Sequence, residues 1–298
     1  MTDTVIIAAA AYPLDWLNSF ADFEAKMTRW VAEAAGQGAQ LLVFPEYGAM
    51  ELASLGGEAV ADDLEGVLSE AARHRPAADA LQARLAAEHG VYILGGSGPV
   101  FSGNRPVNRA TFFGPSGVLG HQDKQIMVRF EREDWDVVPG AGLTLFDTEL
   151  GRIGIVICYD SEFPLLSRAL TEAGAEILLA PSATETWAGY NRVRIGAMAR
   201  ALENQCVTVQ APLVGQSDWC AGCEENTGRA GIYGPPDRGW PAEGVLAESD
   251  RDAPGWVYAT ISRQLIADTR EDGGVLNFLH WNEQEARISV PLATVRAS

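Results

Sequence analysis

The chain is poor in histidine and cysteine, with four of each among 298 residues. Four cysteines in so long a chain make no disulfide framework, which excludes the small stapled folds and fits a reducing compartment. No Gly-x-Ser-x-Gly elbow and no paired-histidine metal motif occurs. Cys220-Ala-Gly-Cys223 has metal-ligand spacing but no second ligand pair beside it, so no metal and no cofactor is expected. Two free thiols in a loop are the default reading there, and a redox pair is the weaker one. Basic residues are scarce too, 22 Lys and Arg against 40 Asp and Glu, a net charge of −18. No basic cluster offers a footprint for a phosphate backbone, which excludes nucleic acid as a partner. No apolar run approaches the length of a membrane helix. The N-terminal stretch to Tyr12 lacks the basic start of a signal peptide. A cytoplasmic protein without a membrane partner is the expectation.

What is present is ample material for a core: 47% hydrophobic residues and a mean hydropathy near zero. Short apolar strands alternate with helical periodicity. Val5–Ala10, Leu41–Phe44, Val91–Leu94, Ile153–Ile157, Glu176–Ala180, Val207–Ala211 and Gly255–Ile261 read as strands. Phe20–Ala35, Ala77–His89, Leu165–Ala175 and Trp187–Asn204 read as helices. Residues 108–113 and 117–120 predict a hairpin, 49–70 and 215–240 predict long loops, and the tail from Arg270 has little periodicity. That alternation argues an α/β fold with a mixed sheet, or a pair of sheets, between helical layers. Neither linker nor repeat divides the chain, so a single domain over residues 1–298 is expected. The tail from about residue 263 is assigned to a subunit interface.

The stretch Gly151-Arg-Ile-Gly-Ile-Val-Ile-Cys158-Tyr-Asp-Ser-Glu-Phe-Pro164 organises the rest. It is a buried strand that stops at a thiol, then a polar loop, then a helix. Open α/β sheets bind ligands at that end of their strands. A cysteine there is equally often a small core hydrophobe, and spacing alone leaves the two readings level. A nucleophilic cysteine needs a base, usually histidine. His74, His89 and His280 read as solvated, and His121 as a polar hairpin edge. A carboxylate can serve instead. Glu46 stands at the tip of an apolar strand, where burial raises its pKa. Lys124, after the hairpin, would favour the thiolate and hold an oxyanion. Each is ordinarily surface; together, each where an element meets a loop and in this order, they become candidates for one site.

These residues resemble the nitrilase, or carbon–nitrogen hydrolase, superfamily. Leu41-Leu-Val-Phe-Pro-Glu46 is similar to its first motif. Gly117-Val-Leu-Gly-His-Gln-Asp-Lys124 is similar to its lysine motif, and Gly154-Ile-Val-Ile-Cys158-Tyr-Asp-Ser-Glu-Phe-Pro164 to its cysteine motif. Residues 174–182, 200–204 and Pro139-Gly140 support them. The resemblance covers residues 5 to about 262. It implies a four-layer α–β–β–α sandwich, a Glu–Lys–Cys triad of Glu46, Lys124 and Cys158, and self-association as a homodimer or larger. It also implies a second glutamate shortly before a Pro-Gly, for which spacing favours Glu133 with Glu131 as the fallback.

Cys158-Tyr159-Asp160 looks like the amidase branches, which implies hydrolysis of a small amide or carbamoyl amine through a cysteine thioester, with release of ammonia or an amine. Its oxyanion would rest on Lys124 and the Tyr159 amide. A nitrile substrate, acyl transfer to another acceptor, a non-catalytic binding module on the same fold and a redox protein using Cys220 and Cys223 are the rivals. Tyr47, Trp135, Tyr159 and Trp187 adjoin the motifs and are the expected substrate-pocket aromatics. Arg192 and Arg194 are candidates for a substrate carboxylate, although ordinary helix-surface positions suit them better. Where the family often has a glutamine after the first strand, this chain has Ala9-Ala-Ala-Tyr12.

Overall fold

The structure, a computed structural model, describes residues 3–296. Two sheets lie face to face. The first runs, edge to edge, Gly255–Ser262, Thr4–Ala11, Leu41–Val43, Tyr92–Leu94, Pro106–Gly114 and Gly98–Phe101, with Gly117–Asp123 also paired to Pro106–Gly114. The second runs Val245–Glu248, Gly231–Tyr233, Val207–Pro212, Ile177–Ser182, Gly151–Ile155 and Leu145–Thr148. Within each sheet three central strands are parallel, because each is reached through a helical crossover.

Side-chain alternation along the strands builds the layers. Val5, Ile7, Leu41, Val43, Ala110 and Phe112 meet Ile153, Ile155, Ile177, Leu179, Val207 and Val209 in a dry seam between the sheets. The alternate residues, Ala8, Leu42, Ile93 and Phe113, face Phe23, Met27, Val31 and Leu85 of the helices Phe20–Gly36 and Leu64–His89. On the far side Val156, Leu178 and Ala180 face Leu170 of the helix Pro164–Glu172, and Ala197 and Ala201 of Trp187–Asn204 pack on Tyr233. The order is helix, sheet, sheet, helix. A strand buried on both faces reads as a continuous apolar run, which is why the central strands were legible.

Three elements differ from expectation. The helix predicted to begin at Ala77 begins at Leu64. Pro76 lies inside it but on its exposed side, where the Ala72 carbonyl it frees can be hydrated. Residues 215–240 include short paired strands, Gly215–Gln216 with Glu225–Asn226, besides Gly231–Tyr233. The tail is partly helical: Arg263–Asp272 packs Ile266 into the seam, and Arg270 Nη2 donates to the Ala175 carbonyl at 2.8 Å. Among the described residues no helix is long and apolar enough to cross a membrane.

Candidate active site

Three strand ends meet at one cavity. Glu46 follows Leu41–Val43, whose extension is held by Phe44 N–H donating to Leu94 O at 2.9 Å. Lys124 follows Gly117–Asp123 and its amide donates to Asn108 O at 2.9 Å. Cys158 opens a 3₁₀ turn, Cys158–Glu162, just beyond Gly151–Ile155. Its φ of +48° lies in the left-handed region, a conformation that L-residues adopt at a cost of order 1–3 kcal/mol. The surroundings enforce it. Ser161 Oγ donates to Cys158 O at 2.6 Å, Asp160 N–H donates to Ile157 O at 3.0 Å, and Arg200 Nη1 donates to Ser161 O at 2.9 Å. Gly196 lets the long helix approach this turn, since a Cβ there would stand 3.1 Å from Ser161 O. Tyr159 precedes the first amide the turn uses, so its N–H lies outside the turn's own hydrogen bonding.

The charges are buried and interlocked. Lys124 Nζ lies 2.8 Å from Glu46 Oε1 and 2.6 Å from Glu131 Oε2, and all three side chains are at most 2% exposed. Glu46 also accepts from Asn108 Nδ2 at 3.0 Å and from the Ala183 amide at 3.0 Å. Glu131 accepts from Tyr47 Oη at 2.6 Å and Val128 N–H at 2.8 Å. The glutamate expected beside Lys124 was Glu133. Instead Glu131 stands there, and Glu133 is exposed, gripping Arg129 Nε at 2.8 Å. The reason is helical phase. Both sit in the short helix Arg129–Glu133, where residues two apart are about 200° apart around the axis, so only one can face inward.

Burial raises the Glu46 pKa against the pull of Lys124. Burial would depress the Lys124 ammonium, but Glu131 and Glu46 more than reverse this and hold it protonated. The Cys158 thiol is pushed well up by burial and by Glu46, more than Lys124 draws it down. Lys124 acts toward the thiolate, as expected, but burial and Glu46 outweigh it, so a thiol faces a carboxylate whose pKa burial raises. The thiol also reaches the Ala183 carbonyl, 3.8 Å away.

Asp160 ties the lysine strand to the cysteine turn, accepting from Ile126 N–H at 2.8 Å and Gln125 N–H at 3.1 Å. Burial lifts its pKa from 3.8 to about 7. Between those values the folded chain keeps a proton that the unfolded chain releases, so Asp160 makes stability fall as pH rises from about 4 to about 7. Asp160→Asn retains an acceptor for Ile126. Denaturation curves across that range are expected to show a flatter pH dependence in the variant than in the wild type. An identical slope in both would discard this assignment.

The cavity of about 630 Å³ is lined by Glu46, Lys124, Glu131 and Cys158 at its base and by Tyr47, Trp135 and Tyr159 on its walls. Tyr47 doubles as the hydrogen-bond donor to Glu131 and packs edge-on against Trp135 at 5.0 Å. Trp187 does not line the cavity. It opens the helix Trp187–Asn204 facing the other way, stacked on Tyr190 at 4.6 Å with Arg251 over its ring. Arg194 is likewise outside, paired with Glu248 at 2.6 Å, whereas Arg192 is at the rim. Cys220 and Cys223 are buried free thiols. Cys223 N–H donates to Cys220 O at 2.8 Å, and Cys223 lines the cavity. Asn108, Asp160 and the Ala183 amide were not singled out from sequence. Their partners lie 62, 35 and 137 residues away, and no local pattern signals them.

The sequence profile of the carbon–nitrogen hydrolases matches residues 6–271. The chain is 29% identical over 279 residues to the probable hydrolase YhcX of Bacillus subtilis, an alignment covering 91% of this chain and 52% of that protein, so the chain spans about half of that relative's length. It is 27% identical over 255 residues to the omega-amidase NIT2 of Danio rerio, covering 81% and 83% respectively. A solved mutant of the amidase from Nesterenkonia sp. AN1, with the acetamide moiety of fluoroacetamide covalently added at its active-site cysteine, superposes with a TM-score of 0.70. That superposition has 21% identity and covers 96% of this chain and 97% of the other. With the double sheet and the profile match over most of its length, the chain belongs to the carbon–nitrogen hydrolase family.

Proposed function

We propose that the protein hydrolyses the carbon–nitrogen bond of a small amide through a thioester on Cys158. The observation that carries this reading is the meeting of Cys158 and the buried Glu46 in one cavity, with Lys124 held between Glu46 and Glu131. A carboxylate of raised pKa is a competent base near neutral pH. Glu46 takes the thiol proton as Sγ attacks the carbonyl carbon. The oxyanion rests on the Lys124 ammonium and the Tyr159 amide. Glu46 passes its proton to the departing nitrogen, the C–N bond breaks, and ammonia or an amine leaves. Glu46 then takes a proton from water, whose oxygen attacks the thioester. Collapse of that adduct frees the acid, and the thiol recovers the proton. Glu131, with Tyr47 behind it, keeps Lys124 charged and in place.

The omega-amidase and amidase named above support an amide over a nitrile. The test is ammonia release from a panel of small amides, carbamoyl amines and nitriles, with Cys158→Ala beside the wild type. Release from amides that vanishes in the variant is expected. Release from nitriles alone would keep the nucleophile and overturn the substrate class, and release that survives in Cys158→Ala would overturn the mechanism.

A further inference from the structure

The cavity mouth is unevenly charged. Four carboxylates line it, Glu162, Glu185, Glu224 and Glu225, against two guanidiniums, Arg129 and Arg192. Arg129 is 86% exposed and is taken by Glu133, which is not part of the lining. Arg192 is 64% exposed and its nearest carboxylate is Glu162, at 3.8 Å. Glu224 accepts from Gly222 N–H at 3.0 Å. Glu185 and Glu225 have no side-chain hydrogen bond or ion pair among the described residues, and both are exposed on the cavity wall. Deeper in, the one ammonium is already compensated by two carboxylates. The field met by a molecule entering is therefore negative.

A second observation points the same way. Phe130, 37% exposed, and Tyr159 line the same cavity, and Trp135 sits edge-on to Phe130 at 5.1 Å. Aromatic faces beside carboxylates are the surroundings that recognise an organic cation. Glu185 is also close to the chemistry. It is two residues beyond Ala183, whose amide holds Glu46, and two residues of extended chain span at most about 7 Å.

We propose that Glu185 and Glu225 select amides carrying a positive charge away from the scissile bond, such as an ω-amino amide, and disfavour amides carrying a carboxylate. This rests on the amidase reading above and names its substrate class. The competing arrangement, Arg192 pairing with a substrate carboxylate, predicts the reverse order.

The experiment compares kcat/KM for three amides of equal chain length: an ω-amino amide, the uncharged alkyl amide and the monoamide of a dicarboxylic acid. The cation is expected to exceed the anion by about tenfold or more at low ionic strength. That ratio should shrink toward one as salt is raised to about 0.5 M, where the screening length falls to a few ångströms. In Glu185→Gln/Glu225→Gln the ratio should fall several-fold at low salt. A preference for the anion, or a ratio near one that salt and the double substitution leave alone, overturns the proposal while turnover of the uncharged amide still upholds the amidase. Should none of the three be turned over above the level of Cys158→Ala, the amidase reading fails for this class and the proposal falls with it.

Discussion

Cys158→Ala is expected to lower ammonia release from any amide the wild type accepts by more than about 10⁴-fold, because it removes the sulfur on which the proposed thioester forms. The fold should survive the change. Cys158 is 4% exposed and contributes one sulfur to the seam between the sheets, and alanine at φ +48° meets the same backbone cost as cysteine. Thermal unfolding should therefore shift by only a few degrees. Glu46→Gln makes the complementary case. The amide oxygen can still accept from Ala183 N–H, but it cannot take the thiol proton. With the thiol held neutral by burial and by Glu46, loss of the base should cost about 10²–10⁴-fold. A Cys158→Ala protein that keeps more than about one part in a hundred of the wild-type rate would rule out the thioester, given the size of loss expected from removing a nucleophile.

Lys124→Ala should be the most damaging of these single changes to stability, and it should lower turnover as well. The side chain is the cation between two carboxylates that are themselves buried. Removing one partner of a buried ion pair typically costs about 3–5 kcal/mol, because the charge left behind is uncompensated. Turnover should fall by at least about 10²–10³-fold, the usual effect of losing one oxyanion donor. The pH dependence gives a sharper signature. Without Lys124 to oppose it, burial makes the Glu46 carboxyl gain a proton more readily folded than unfolded. The folded chain then binds more protons over the range above the ordinary carboxylate pKa, so the variant's stability should rise as pH falls from about 8 to about 5. Adding Glu131→Gln should restore part of the stability and none of the activity, since it removes the stranded charge without replacing the ammonium. Denaturant unfolding at several pH values, beside ammonia release, checks both halves. Near-normal stability and rate in Lys124→Ala would discard the role given to this residue.

The double substitution at Lys124 and Glu131 also touches the point where sequence spacing misleads. Counting back from Pro139-Gly140 favoured Glu133, yet the helix Arg129–Glu133 turns Glu131 inward and leaves Glu133 with Arg129. Counting residues measures distance along the chain, whereas a helix assigns neighbours by angle. Trp187 fails for the same reason. It adjoins Ser182 and Ala183 in sequence, but it begins a helix whose phase turns it toward Tyr190 and Arg251. Tyr47 was expected at the pocket and lines it, but its hydroxyl is committed to Glu131.

What the residues determined by themselves is local and periodic. Apolar runs bounded by Gly and Pro mark the parallel strands, helical spacing marks the crossovers, and chemistry stands at the tips because α/β sheets expose their strand ends. Glu46 and Cys158 each follow such a strand and Lys124 follows the antiparallel hairpin strand Gly117–Asp123, so they could be named and ordered before any of them was seen together. Tertiary structure alone decided which groups meet them. Asn108 and Ala183 hold Glu46, Asp160 joins two loops, and Glu185 and Glu225 charge the cavity mouth from separate segments. Those contacts depend on the register of strands distant in sequence and on the packing of one sheet over the other. It decided the protonation of the thiol as well. A lysine and a glutamate act on Cys158 in opposite senses, and the burial of all of these side chains together, which no single stretch of sequence displays, tips the balance toward the neutral form.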